Sequence, residues 1–308
     1  MARATYQPWP ELPYEEFAPT AYLMHMITQV VGKLKLATPF EPQWANVPLW
    51  VTSRGLTTGP IPNGAGTFTV DIDLIGHVLT VATSWGGTGS FALGPSSVAD
   101  AFERIMATLK ETGVEAIIDT MPQEIANPTR FDEDTALRPY DKALANAWWR
   151  ILVSSHRVMQ RYHARFEGKT PPVGLMWGTF DLRDARYTGP YLPPSAPNTG
   201  YIRRNAMNQA QIECGWWHGG SNYRKPAYYS FTFPQPAAIA QSALKVGAWN
   251  EAMGEFILDY DDDDVRTARD PEAELYAFLE SAYDAGAKLA GWDPALLGSG
   301  KPSEAGQP

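Results

Sequence analysis

A single cysteine, Cys214, stands among 308 residues. It leaves no partner for an internal disulfide and excludes a multi-cysteine zinc or iron–sulfur site. As a nucleophile it would need a base, and His218, four residues on, falls on the same strand face. A buried, inert thiol is the simpler expectation. Long apolar runs are missing too. No stretch approaches the roughly 18 apolar residues needed to cross a bilayer. Met1 to Phe17 carries prolines and acids where a secretory leader would carry an apolar run. The expectation is a soluble, cytoplasmic protein with no membrane partner. Positive charge is scarce, with 25 lysines and arginines against 34 acids and a net charge of −9. No basic stripe follows, so nucleic acid is not an expected partner. Neither a GxGxxG nor a Walker pattern occurs, and neither HExxH nor a paired HxH, so no nucleotide or metal cofactor is expected. The run Asp261 to Asp264 lacks the alternating ligands and glycine of an EF-hand and reads as a solvated loop.

What the chain has in excess is tryptophan, 11 residues, in pairs and near-pairs such as Trp148-Trp149 and Trp216-Trp217. Most should be core, with some free to line a pocket. Apolar spacing predicts a helix over 14–34, carried by Leu23, Met26, Ile27, Val30 and Leu34. Strands follow at 47–52, 67–74, 78–85 and 90–93, the middle pair turned at Ile75-Gly76-His77. Pro95-Ser96-Ser97 opens a further helix, and Val114 to Asp119 reads as a short strand after it. A helix over about 142–166 is followed by strands at 173–182, 210–217, 226–233 and 255–259. Loops lie at 189–200 and 218–225, and a last helix at about 271–290.

These elements echo each other. Gly32-Lys33, Val47 to Val51 and Thr58-Gly59-Pro60 recur as Gly168-Lys169, Val173 to Trp177 and Thr188-Gly189-Pro190. Phe91-Ala92-Leu93 before one helix recurs as Phe256-Ile257-Leu258 before another. The expected class is therefore α+β, a helix, four-stranded antiparallel sheet and helix unit used twice, with helices covering one side of the sheets. Residues 1–120 form the first unit with its N-terminal arm, 121–141 a linker, 142–294 the second unit and 295–308 a disordered tail. Both units are expected to share one integrated domain, with a site in the seam between them.

Chemistry concentrates at a few positions. His25, Thr28, Gln29 and Lys33 form one polar stripe on the first helix, and His25 is the first choice for a general acid or base. On the strand 174–183, alternation places Trp177, Thr179, Asp181 and Arg183 on one face, opposite Met176, Gly178, Phe180 and Leu182. Arg54 sits at nearly the matching place in the first copy, on the face of Trp50 and Thr52. Two such arginines could converge on an anion such as a carboxylate. Cys214, Trp216 and His218 share another strand face, and His218 is followed by Gly219-Gly220 at a rim. His77 falls in a hairpin turn, and His156 and His163 cover core.

Several motifs, taken together, resemble a known family. They are Trp9 to Pro13, the helix around His25 with Thr28-Gln29 and Gly32-Lys33, Asn46 to Leu49 through Arg54 to Thr58, Phe131 to Thr135, and Gly178 to Leu182. They resemble a bacterial family catalogued as domain of unknown function 5996, across almost the whole chain. The resemblance implies no activity. It carries His25, Arg54 and Asp181 over by position. Relatives place a histidine where this chain has Gln43 and a His-Glu pair where it has Gln209-Ala210, so any metal site of the family would here have lost most of its ligands. The expectation is a metal-free, aromatic-lined pocket between the copies, with His25, Asp181 and Arg54 catalytic. Gln29, Trp50, Trp177, Thr179, Arg183, Trp216 and His218 would bind a small molecule, and the reaction would be of lyase, cyclase or isomerase type in specialised metabolism. A non-catalytic binding protein and a metal-dependent hydrolase, the latter using Glu213 and His218, are the alternatives.

Overall fold

The computed structural model describes residues 6–193, 200–261 and 265–299. The chain is α+β, with two antiparallel sheets and, among the described residues, five α-helices. In chain order come α1 (Tyr14–Leu34), β1 (Trp50–Val51), β2 (Gly55–Thr57), β3 (Ile61–Asn63), β4 (Gly66–Asp73), β5 (Val78–Thr83), β6 (Thr88–Ala92) and α2 (Val98–Glu111). Then follow α3 (Lys142–His163), β7 (Gly174–Met176), β8 (Asp181–Tyr191), α4 (Tyr201–Ala206), β9 (Gln209–Trp217), β10 (Ala227–Phe233), β11 (Ala248–Asn250), β12 (Glu255–Asp259) and α5 (Pro271–Leu289). The first sheet runs β1-β2-β4-β5-β6 with β3 also on β4, and the second runs β11-β12-β10-β9-β8-β7.

The chain divides into two compact units that interleave along the sequence. Unit 1 is Met1–Val153 with Gly174–Leu182 and His218–Pro226; unit 2 is Ser154–Val173 with Arg183–Trp217 and Ala227–Pro308. This partition and the sequence division at 121–141 cut the chain differently, because two short returns, 174–182 and 218–226, pack with unit 1.

In unit 1 the expected hairpin forms within the meander β4-β5-β6, with Val70 opposite Val81 and Leu79 opposite Phe91. Its apolar residues join Leu23, Ile27, Val30 and Val31 of α1 in the core. Ser97 caps α2, its hydroxyl accepting from the Asp100 amide at 3.0 Å. In unit 2, Ile212, Cys214 and Trp216 alternate toward the same side as Ser230 and Tyr228 opposite them. On that side Gly286 of α5 lies so close that a Cβ would collide with Thr232 and press tightly on Ile212. Tyr228 reaches Ser155 of α3 through a 2.7 Å hydroxyl contact.

Three sequence expectations are corrected. Residues 114–119 form no strand: Ile117 is fully exposed, and β propensity makes no strand where no neighbour offers a ladder. The strand expected over 173–182 breaks into β7, a tight turn at 177–180 and β8, closed by the Phe180 amide donating to the Met176 carbonyl at 2.7 Å. β8 then continues through Gly189, Pro190 and Tyr191, the start of the loop expected at 189–200. The expected disordered tail begins too early, since Pro294–Leu296 forms a 3₁₀ turn. The Leu296 carbonyl accepts from Glu167 and the Gly298 amide donates to Arg165. Residues 300–308, Asp262 to Asp264 and 194–199 of the expected loop lie outside the described residues.

Candidate functional site

The break in the 173–182 strand builds the site of unit 1. Because residues 177–180 turn, the carbonyls of Trp177 and Gly178 point at α1, and His25 Nε2 lies 3.0 Å from each. Carbonyl oxygens only accept, so Nε2 carries the proton and donates to both. Gln29 confirms this orientation. Its Oε1 accepts from the Gln123 amide at 2.8 Å, and its Nε2 donates to the Gln123 carbonyl at 2.8 Å and the Gly178 carbonyl at 3.3 Å. With the amide so fixed, the 3.2 Å approach of Gln29 Nε2 to His25 Nε2 brings two donors together and is no hydrogen bond. His25 is therefore the Nε2–H tautomer, with its lone pair on Nδ1.

Gly32 allows the turn to come this close. A methyl at that position would land on the Trp177 indole, which donates to the Val47 carbonyl at 3.0 Å. Phe180 closes the turn in the left-handed region at φ 63°, where a bulky side chain is strained. Its ring is fully buried. It stacks on His25 at 4.9 Å on one side and on Trp148 at 4.8 Å on the other, while His218 meets it edge-on at 5.4 Å. Phe17 and Tyr14 also touch the His218 ring, at 5.6 and 6.3 Å.

Burial in these aromatic surroundings makes the charged imidazolium costly. Desolvation holds His25 down to about 4, partly opposed by the hydrogen bonds to Gly178 and Trp177. His218 is held down to about 3 by desolvation and by the neighbouring His25. Both rings retain some solvent-accessible surface, yet each is surrounded closely enough that the neutral form prevails at pH 7. Buried Nδ1 of His218 and Nε1 of Trp148 have no hydrogen-bond partner in the protein.

The structure thus gathers His25, Gln29, Trp177 and His218, with Thr179 and Asp181 hydrogen-bonded to each other in and just after the same turn. The Gln29 amide, expected to bind substrate, hydrogen-bonds the backbone of Gln123 and Gly178. Lys33, the end of the stripe, is buried and donates to the Met121 carbonyl at 2.7 Å. Trp177 and Asp181 do not share a strand face, since the turn separates them. Arg54, expected to be catalytic, has an exposed guanidinium that grips Asp73 through Nη2 at 2.6 Å and Nε at 2.8 Å. Trp50 lies under Lys35, whose Nζ is 4.7 Å from the ring.

In unit 2, Arg183 faces Glu213 at 3.2 Å and donates to the Tyr187 hydroxyl at 2.8 Å. Trp216 is fully buried against Tyr260. Cys214 is buried, and desolvation pushes its thiol well above the usual range, as an inert cysteine requires. Gln43 is buried in a 3₁₀ turn with φ 59°. Among the described residues no three His, Cys, Asp or Glu side chains gather to hold a metal, and no helix is long and apolar enough to cross a membrane.

Sequence reasoning missed Phe180, Trp148 and the loop carrying Gln123 and Glu124. Strict alternation had assigned Phe180 to an apolar strand face. Glu124 has a carboxylate oxygen 2.6 Å from where a Gly178 side chain would begin, and nothing in its local sequence signals that approach. No curated protein and no solved structure matches the chain. The family of unknown function DUF5996 matches residues 9–299, and the chain belongs to it.

Proposed function

We propose that the chain is an enzyme that acts on a small molecule by acid–base and electrostatic chemistry centred on His25 in unit 1. The observation that carries the reading is the fixed tautomer of His25. Two carbonyls hold its Nε2–H, so the neutral ring offers Nδ1 as a proton acceptor in one orientation. Asp181, tied to Thr179, supplies the carboxylate for electrostatic stabilisation, and His218 is a second neutral imidazole. The reaction type that suits such groups is a lyase, cyclase or isomerase step, as in specialised metabolism, carried out in the cytoplasm. The reading needs no metal. It assigns the ligand no carboxylate, because Arg54 and Arg183 each already face an acid. The internal repeat belongs to the same proposal, supported by the recurrence of a long helix, an antiparallel sheet and a closing helix along the chain.

A non-catalytic binding protein is the second reading. It is favoured by the low proton affinities of the two histidines, about 4 and 3, which make weak bases at neutral pH. A metabolite-library screen reading both binding and product separates the two. Turnover abolished in His25→Ala supports the enzyme; saturable binding with no product supports the binding protein. Turnover unchanged in His25→Ala overturns the assignment of His25.

A further inference from the structure

Unit 2 holds a second buried polar cluster, independent of the His25 site. Asp184 and Arg186 lie two apart on β8, so both project from one face of the strand, with backbones about 6.6 Å apart. The Arg186 side chain is fully buried and Asp184 nearly so. The guanidinium stacks on Tyr162 at 3.4 Å, with Tyr283 at 4.4 Å and Phe166 at 5.3 Å. One of its nitrogens, Nη2, donates to the Tyr162 carbonyl. The other two, Nε and Nη1, are buried with no partner in the protein. Asp184 Oδ1 meets His163 Nδ1 at 2.8 Å and the Thr170 hydroxyl at 3.5 Å, but its Oδ2 is also buried and unpartnered.

Cation–π contact compensates part of the desolvation of Arg186, but it does nothing for N–H groups lying in the guanidinium plane. Two unmet charged donors and one unmet charged acceptor on the same strand face are far too costly to leave bare. Their chemistry selects the occupant. An anion would satisfy Arg186 and be repelled by Asp184, and a cation would do the reverse. A neutral molecule that accepts from the guanidinium and donates to the carboxylate satisfies both.

We propose that Asp184 and Arg186 form an internal binding site for a small neutral molecule that both accepts and donates hydrogen bonds. Ordered water and a small amide or alcohol share that chemistry. The partly exposed His163, bonded to Asp184, is the surface end of the cluster.

A high-resolution crystal structure of the full chain tests the site, with magnetisation transfer from the Arg186 Nε–H to long-lived water in solution. Mass spectrometry of small molecules released on denaturation separates the two sources. The expected result is density within hydrogen-bond distance of both Asp184 Oδ2 and an Arg186 nitrogen. Transfer to water identifies water, and a stoichiometric released compound identifies the organic ligand. Arg186→Met and Asp184→Asn should each remove the density and raise the unfolding constant roughly tenfold or more. Direct contact between guanidinium and carboxylate, a bromide bound on soaking, or bare orphan atoms overturns the proposal. The wild-type measurements decide even if a variant fails to fold.

Discussion

In unit 1 the buried polar side chains around Phe180 are imidazoles, which meet desolvation by giving up their charge. In unit 2 the polar cluster on β8 includes the Arg186 guanidinium, buried and wrapped in aromatic rings, a group that carries charge without a proton to shed in the physiological range. The difference teaches where chemistry and stability are adjustable. A group that can shed its proton makes its region sensitive to pH, whereas a permanently charged group transfers the demand to its neighbours and to whatever molecule fills the gap.

The largest expected effect in unit 1 comes from Phe180. Phe180→Ala should destabilise by about 3–5 kcal/mol, because a fully buried ring that orders His25 and Trp148 is lost. Phe180→Gly should cost less than Phe180→Ala by roughly 1 kcal/mol despite removing one more carbon, since glycine accepts φ 63° without strain. Urea denaturation of the two variants checks the order, and a less stable glycine variant would remove the strain argument.

The pH dependence comes next. Both histidines have folded values below their ordinary one near 6.5, so between about 6.5 and about 3 the unfolded chain binds protons that the folded chain refuses. Their contribution is fully present above about 6.5 and is lost as pH falls through about 4 for His25 and about 3 for His218. Chemical denaturation at a series of pH values should show this loss. The double variant His25→Gln with His218→Gln should flatten it, while Arg186→Met, in the other cluster, should leave the slope intact.

A smaller effect is expected at Gly32. Gly32→Ala places a methyl against the Trp177 indole and should cost about 1–3 kcal/mol through overpacking. It should also loosen the carbonyls that hold His25, visible as a change in the nitrogen shifts of its ring. Arg54→Ala should have the smallest effect, below about 1 kcal/mol, because its partnership with Asp73 is a surface ion pair. Any turnover or ligand binding should survive it, and a large loss would return Arg54 to the site.

Much of the frame was legible in the residues. The apolar spacing of α1, the valine, threonine and isoleucine run of β4 and β5, and the Ser97 cap report local preferences that neighbours reinforce. His25 and His218 could be singled out by chemistry. That they share Phe180 could not, because the contact joins residues 193 positions apart. The turn at 177–180 was hidden for a related reason: its sequence alternates as a strand would, and only the pull of α1 on two carbonyls, with Gly32 leaving room for Trp177, makes the left-handed Phe180 tolerable.

The sequence by itself determined the class of fold, the long helices and the β4-β5 hairpin, the inert single cysteine and the membership of a family, because these depend on local pattern and composition. Tertiary structure alone decided which polar groups are chemically available. It gave Arg54 and Gln29 their partners in the protein, fixed the proton of His25 on Nε2, and buried Arg186 and Asp184 on one strand face. Partnership and desolvation depend on what lies across a few ångströms of space, and neighbours along the chain do not encode that distance.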